Sequence, residues 1–589
     1  MAWPYHFVDL TEAQKQQRRQ NLDFYAIVAQ LSALAPLLAI QCYFLCSKLA
    51  NRSRVDEDVP SSPHLKNGRH GERSGLSNAR LIWRKLAWRC GEPVDAAGGY
   101  LGRRGEVSAA AVWLVYLLVL CFPRTGDDYL HLTKRFGIVA ASQLPLHYLL
   151  AIKSPYSPIT LMTGCTHERL NIIHQLLGRI ITILLLLHAS FYLNFYVRSG
   201  LLAAKVQEAY VVCGIVAIIS FVVIGTTTLA PIRKRSYRAF YIIHVTLSAV
   251  LLPILWFHVS HIRVFVYEAA AVYALNVGLR MLDSKQQSGS LRVIPNSSLV
   301  ELSVDNTRLS GKKWLREWRP GQHGYIALVD GNVPYALRRN PFSVVSVPAI
   351  DGHLRFVARI LSGNTTRLAH QAKLGQTNHR VHIEGPYGTG NHIDTLLQYD
   401  RILLVAGGVG ATFILPLYQQ LLSDLSPSKG SYRRQKATFV WIARSMADVT
   451  WALPESTTAR EGFAERLKIY LTGNVTNDAE IGDSRYAIRE RVEEGRAVYA
   501  ENQEGIELEE RKGLLGEEKV ESGGGDVQIY AGRPDLRRLV DRTFSHRDSE
   551  RVAVVVCGPG GLNRGLRREV GRWAAKGRAV WFWEEHFAL

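Results

Sequence analysis

Two stretches of this chain carry the residues best suited to chemistry. HQLLGRIITILLLLH runs from His174 to His188, and HVTLSAVLLPILWFH runs from His244 to His258. Each is an apolar segment with an imidazole at either end, and the two imidazoles are fourteen residues apart in both. Fourteen residues of α-helix rise about 21 Å and pass through almost four whole turns. His174 and His188 therefore share one helix face near opposite ends of a membrane-length segment, and His244 and His258 do the same. Ionisable groups inside a membrane are costly and default to a functional role. Imidazole suits iron, copper and zinc, and two imidazoles facing each other across a bundle meet the need of a six-coordinate b-type haem. Two such helices side by side would hold two haems, one between His174 and His244 and one between His188 and His258. A single histidine in a span is more often a packing or hydrogen-bonding residue, and His147, which has no partner at this spacing, is read that way.

A second group of motifs lies in the C-terminal half. NPFSVVS supplies Asn340, Pro341, Phe342, Ser343 and Ser346, a proline–aromatic–hydroxyl turn able to stack a flavin and bond its phosphates. In SGNTTRL, Gly363, Thr365 and Thr366 can hold a pyrophosphate at a helix start. AGGVGAT (Gly407, Gly408, Gly410, Thr412) follows an apolar run and precedes a helical pattern, the context a phosphate-cradling glycine loop requires. Arg444 ends the next expected strand, where a cation can meet the 2′-phosphate of NADPH. CGPGG ends a late strand and would set Cys557, Gly558 and Pro559 beside the nicotinamide. No acid–base catalytic residue is expected.

These residues need two kinds of scaffold. The chain has 589 residues, 47 % of them hydrophobic, and a formal charge of +20. Its mean hydropathy is near zero, as suits a protein half in lipid and half in water. The charge forms no basic stripe with interleaved aromatics, so nucleic acid is not an expected partner. The seven cysteines show no CxxC or repeating spacing, so neither a disulfide framework nor a cysteine–zinc site is expected. Stretches near 20 apolar residues are candidate spans: 24–46, 107–122, 136–152, 170–197, 209–230, 239–257 and 264–282. The first is read as a retained anchor. The last contains Glu268 and Asn276, which points to an amphipathic or internally packed helix. Residues 47–107 hold twelve Lys or Arg against seven Asp or Glu, and 231–238 hold four cations and no acid. The positive-inside rule makes both cytosolic, with the N-terminus outside and everything beyond residue 282 in the cytosol. The N-x-S/T triplets at Asn51, Asn296, Asn364 and Asn474 are then cytosolic and not glycosylated.

From about residue 285 the pattern changes to short β-rich runs, as in a small antiparallel barrel. From Arg401, buried strands alternate with helices, as in a parallel α/β domain. The expected order is a first segment and helix (1–46), a basic cytosolic loop (47–106), a transmembrane haem domain (107–283), a β-barrel (284–395) and an α/β domain (396–589). The Glu-, Gly- and Arg-rich stretch at about 475–526 reads as a disordered insertion.

In order along the chain stand HERLNIIHQLLGR, PGQHGYI, RRNPFSVVSVP, IEGPYG, AGGVGAT, GRPDL, CGPGG and EEHF. This series resembles the fungal ferric-chelate reductase (metalloreductase) family, within the ferric reductase and NADPH oxidase superfamily. The resemblance implies a helical membrane bundle with two b-type haems and a ferredoxin-reductase-like module, an FAD barrel plus an NADPH domain. It implies hydride transfer from NADPH to FAD, then single electrons through the inner haem (His174, His244) and the outer haem (His188, His258). The implied acceptor is an external ferric or cupric chelate, with an iron permease and oxidase system downstream and the plasma membrane as location. Two positions depart from the family pattern. Asn340 stands where His or Arg is frequent, and the chain ends EEHFAL, so Phe587 would have to cover the flavin ring. Arg124, Arg198, Lys205 and Arg263 fall outside and can attract an anionic chelate. Two other readings remain open: an oxidase making superoxide from dioxygen, and a non-catalytic haem-binding membrane subunit.

Overall fold

The structure is a computed structural model that describes residues 4–55, 74–96, 99–305, 318–329, 339–361, 363–375, 378–388, 390, 392–425, 436–453, 463, 466–473, 519–520, 527–546 and 550–585. Phe587 and Asn474, and the expected insertion at 475–526 apart from the short strand Lys519–Val520, lie outside the described residues.

The apolar segments fold into a helical bundle. Its helices are α1 (Glu12–Leu31), α2 (Leu34–Val55), α3 (Ser74–Cys90), α4 (Arg104–Leu120), α5 (Tyr129–Ser142), α6 (Leu144–Leu150), α7 (His167–Arg198), α8 (Ala209–Thr227), α9 (Tyr237–His258) and α10 (Arg263–Asp283). Thr11, Asp128, Thr166 and Ser236 begin α1, α5, α7 and α9, each side chain accepting a hydrogen bond from an otherwise unpaired backbone N–H of the first turn. Five stretches among the described residues are long and apolar enough to cross a membrane: Glu12–Cys42, His167–Arg198, Ala209–Thr227, Tyr237–His258 and Ser260–Asp283. The other two expected spans differ. The segment at 107–122 is the shorter helix α4, of 17 residues. The segment at 136–152 is broken into α5 and α6, because Pro145 has no N–H to continue the ladder and disfavours helix in the residue before it. Glu268 within α10 is satisfied by the side chain of Gln30 on α1.

The N-terminal segment lies at one end of the bundle. The backbone of His6 bridges that of Asp128, and Arg18 forms an ion pair with the Asp128 carboxylate at 2.8 Å, both of those side chains largely buried. The hairpin of β1 (Pro93–Ala96) and β2 (Gly99–Arg103) lies at the other end, where Gly99 abuts Ala230.

Helix α10 runs without a linker into β3, the first strand of the barrel. The barrel strands are β3 (Ser284–Val293), β4 (Leu299–Asp305), β5 (His323–Leu328), β6 (Asn340–Ser343), β7 (His353–Arg359) and β8 (His379–Tyr387), in the antiparallel order β6-β5-β8-β3-β4-β7. A bridge from Val344 to Phe356 brings the two ends of that order together and nearly closes it. Helix α11 (Asn364–Lys373) packs beside it. The α/β domain has strands β9 (Arg401–Gly407), β10 (Lys436–Ala443), β11 (Leu467–Leu471), β12 (Lys519–Val520), β13 (Gln528–Ala531), β14 (Val552–Cys557) and β15 (Val580–Glu585). Their order is β12-β13-β11-β10-β9-β14-β15, parallel throughout except β12. Helices α12 (Ala411–Asp424), α13 (Leu536–Phe544) and α14 (Gly560–Ala575) join them. β9 and β14 are central and covered on both faces, which is why they read as unbroken apolar runs.

Bundle and barrel are tied at Glu384, which is almost fully buried on β8. Its carboxylate accepts from Arg280 of α10 at 3.2 Å, from the hydroxyl of Tyr387 at 2.9 Å, and pairs with Arg339. Removing one partner of a buried charge cluster typically costs about 3–5 kcal/mol, because the other charges remain unpaired. Glu384→Ala is therefore expected to lower the thermal unfolding midpoint of the barrel, whereas an Ala substitution at the exposed pair Lys15–Glu12 leaves it nearly unchanged. Circular dichroism melts of the two purified variants check this.

Candidate functional site

The four paired histidines lie on α7 and α9. The ring centres of His174 and His244 are 6.2 Å apart. Nδ1 of His174 lies 2.9 Å from the carbonyl of His147, Nδ1 of His188 lies 2.8 Å from that of Thr133, and Nδ1 of His258 lies 2.7 Å from that of Tyr210. A carbonyl can only accept, so each Nδ1 carries the proton and each Nε2 keeps its lone pair. That tautomer is the one a metal-binding imidazole uses, with its far nitrogen oriented by a second group. Among the described residues, Nδ1 of His244 is buried without a hydrogen-bond partner. Glycines allow the rings at the far end to approach neighbouring helices. A Cβ on Gly137 of α5 would sit 2.7 Å from the His188 ring, and one on Gly214 of α8 would sit 2.6 Å from the His258 ring. Among the described residues no cluster of three or more His, Cys, Asp or Glu side chains is arranged to hold a metal ion.

His147, read from sequence as an ordinary packed residue, belongs to this group. Its ring lies parallel to that of His174, 4.0 Å away and tilted by 7°. Its carbonyl is the acceptor for His174. Gly178, one turn after His174, leaves room for it, since a Cβ there would be 2.9 Å from the His147 ring. A glycine inside an apolar helix costs about 1 kcal/mol relative to alanine, so Gly178 was the available signal of a close approach.

A cavity of about 2830 Å3 begins at His174 and His244 and continues between the barrel and the α/β domain. Asn340, Pro341, Phe342 and Ser343 line it, as do Gly363 and Thr365. Further on it is lined by Gly407, Gly408, Gly410 and Thr412, and by Gly558 and Pro559. The other sequence-chosen residues are not in its wall. Ser346 is buried, and its hydroxyl accepts from the backbone N–H of Arg355 at 2.9 Å. Thr366 turns its hydroxyl to the carbonyl of Leu361. Arg444 is exposed at the end of β10. Cys557 is buried within β14, where burial pushes its thiol well above the usual range. His188 and His258 lie at the other end of the two helices.

The two glycine turns meet at the carboxyl ends of the adjacent strands β9 and β14. A Cβ on Gly410 would fall 2.1 Å from the carbonyl oxygen of Cys557, and one on Gly407 would fall 2.7 Å from Pro559. Trp441 on β10 donates its indole N–H to the carbonyl of Gly408 at 3.1 Å, fixing the turn from below. Helices α12 and α14 start here, so their unpaired N–H groups converge on the crevice at the strand ends, the usual nucleotide position in such sheets. Sequence reasoning did not single out the aromatic wall opposite. Trp583 stacks on His392, with ring centres 3.4 Å apart, and takes the edge of Phe413 at 4.8 Å. Beside it, burial and the nearby carboxylate of Glu168 raise Glu585 to about 8.

An apolar helical bundle is thus joined to an antiparallel barrel and a parallel sheet of nucleotide-binding type. Family comparisons agree in the same order. Residues 136–255 match the ferric reductase like transmembrane component, 290–391 an FAD-binding domain, and 399–571 the ferric reductase NAD binding domain. By these matches the chain is similar to the ferric reductases. It is 25 % identical over 468 residues to ferric/cupric reductase transmembrane component 2 of Saccharomyces cerevisiae, covering 77 % of this chain and 61 % of that one. It is 22 % identical to ferric/cupric reductase transmembrane component 2 of Schizosaccharomyces pombe, covering 74 % and 78 %. It is 23 % identical to probable metalloreductase AIM14 of Meyerozyma guilliermondii, covering 78 % and 85 %. The chain thus spans about three fifths of the length of its S. cerevisiae relative. Among solved structures, the ferredoxin reductase in carbazole 1,9a-dioxygenase aligns at 11 % identity and a TM-score of 0.29, over 52 % of this chain and 70 % of that one.

Two outcomes are expected. Gly410→Ala forces β14 away from the glycine turn at an overpacking cost of about 1–3 kcal/mol, weakening pyridine-nucleotide binding in a fluorescence titration while the membrane helices stay folded. Glu585 holds a proton in the folded chain that the unfolded chain releases above its usual 4.5. Folding stability therefore falls as pH rises from about 4.5 towards 8. Glu585→Gln removes that slope, as thermal midpoints measured between these two limits will show.

Proposed function

We propose that the chain is a transmembrane oxidoreductase that uses NADPH on one side of a membrane to reduce a ferric or cupric chelate on the other. The observation that carries this reading is the pairing of imidazoles on α7 and α9, at the mouth of a cavity that continues to both glycine turns. The names of the fungal relatives point to the same metal substrates.

Four histidines would hold two b-type haems, His174 with His244 and His188 with His258. The fit is favourable in three respects. Two imidazoles are what a haem needs, since it brings four nitrogens of its own. The 6.2 Å between ring centres accommodates two metal–nitrogen bonds of about 2 Å each. Three of the four rings are held with Nε2 free by carbonyls of neighbouring helices. Asn340, Pro341, Phe342, Ser343, Gly363 and Thr365 would hold FAD. Gly407, Gly408, Gly410, Thr412, Gly558 and Pro559 would hold NADPH, with Arg444 near its 2′-phosphate. When bound, the flavin takes up a hydride's two electrons and releases them singly, and haems carry single electrons. The protein's own part is to orient these groups and to keep water out of the bundle. Trp583, stacked on His392 in the cavity wall, is an additional aromatic able to cover a ring there. The β domains would be cytosolic, the membrane the plasma membrane, and the reduced metal a supply for an uptake system.

Purified protein in lipid vesicles, with NADPH outside and ferric citrate with an Fe(II) indicator inside, tests this. Fe(II) in the lumen with reduced b-type haem is the expected result. Superoxide in air with no lumenal Fe(II) would instead make the chain an oxidase. His188→Ala is expected to lose one of the two haems and all lumenal Fe(II) while still reducing bound flavin. Full haem content in that variant would overturn the ligand assignment.

A further inference from the structure

Helix α3 lies between the α/β domain and the start of a membrane helix, and its two faces differ. Leu81, Arg84 and Trp88 share one face. Leu81 abuts Gly577, and Arg84 donates to the carbonyl of Gly577 at 3.0 Å. Trp88 meets the edge of Phe582 at 5.8 Å, and Arg567 lies over its ring at 4.6 Å while donating to its carbonyl at 3.3 Å. This face is docked on the nucleotide domain.

The opposite face carries Ile82, Trp83, Leu86 and Cys90. Ile82, Trp83 and Leu86 are 65 %, 69 % and 49 % exposed, and Cys90 is exposed too. Lys85 and Arg89 stand on the flank of this stripe, exposed. Neither forms an ion pair among the described residues. The stripe does not end in water. Cys90 packs at Gly105 in the first turn of α4, 3.3 Å from where a Cβ would be. From Gly105 the same face of α4 continues through Val112 and Val119, 70 % and 57 % exposed, with Val115 beside them. The apolar stripe of α3 is therefore continuous with an exposed apolar face of α4, a helix of 17 residues with no charged residue after Glu106, and Lys85 and Arg89 flank that stripe.

We propose that α3 is an interfacial helix seated in the membrane leaflet on the side of the β domains. Ile82, Trp83 and Leu86 would lie at the acyl-chain boundary, Lys85 and Arg89 against anionic headgroups, and the nucleotide domain would rest on the helix's other face. An apolar face with flanking cations and a tryptophan is the composition that holds a helix in this plane. The proposal depends on the chain being a membrane protein and not on which acceptor it reduces.

The test uses the full chain carrying Ile82→Cys, with Cys42, Cys46 and Cys90 replaced by Ser and a nitroxide attached at position 82. It is reconstituted in phosphatidylcholine vesicles with or without phosphatidylserine, and gel filtration verifies that the labelled protein is monodisperse. The expected result is a nitroxide relaxed by oxygen and shielded from a water-soluble nickel chelate in the phosphatidylserine vesicles. Two cations at about 1 kcal/mol each near an anionic surface should favour the seated helix about thirtyfold over phosphatidylcholine alone, read as a higher oxygen-to-nickel accessibility ratio, and Lys85→Gln with Arg89→Gln should abolish the difference. A label open to the nickel chelate in both lipids would overturn the seating. A label shielded from both reagents would also overturn it, by assigning the stripe to a second copy or another protein. Equal depth in both lipids would overturn the headgroup contact.

Discussion

The Nδ1–H of a histidine inside a membrane bundle has no water to bond, and the rest of the bundle is arranged around supplying a substitute. The carbonyls of His147, Thr133 and Tyr210 do so for His174, His188 and His258. Each acceptor belongs to a helix other than the one carrying the ring. The neighbouring helices must therefore come unusually close, and Gly137 and Gly214 permit it. The same bond decides the tautomer and so leaves Nε2 free on the opposite side of each ring. A polar requirement that is costly to leave unmet in lipid thus also orients the groups that can bind metal.

The soluble half answers a different constraint. Its nucleotide crevice needs backbone N–H groups at the ends of two adjacent strands, with nothing between them and the ligand. Gly410 beneath Cys557 lets β9 and β14 bring their turns into contact. Glu384 then holds the barrel to α10 through Arg280, and α3 braces the α/β domain from the other side through Trp88. α10 passes directly into β3, so no linker separates the bundle from the first strand of the barrel.

Much of this was legible along the chain, because its signals are local. A fourteen-residue histidine spacing projects onto one helix face whatever surrounds it, and a strand–glycine turn–helix pattern needs only its own neighbours. Where the structure places a residue differently from its expectation, the cause is a partner that residue type and spacing do not name. Ser346 has a suitable hydroxyl, yet the N–H of Arg355 on the facing strand engages it. The hydroxyl of Thr366 bonds to a carbonyl at its own helix start. His147 shows no spacing partner, and only the packing of α6 against α7 stacks it on His174. The break at Pro145 was visible in the sequence, but the apolar run around it reads as one span.

The sequence by itself determined the order of the parts, the paired histidines and the glycine turns, since periodicity and turn chemistry act over a few residues. Only the tertiary structure decided which hydroxyls and imidazoles face the cavity, which aromatic wall stands opposite the glycine turns, and that a helix in the basic loop braces the nucleotide domain. These are outcomes of competition between distant groups for the same polar partners and the same space, and that competition is settled only when the elements pack.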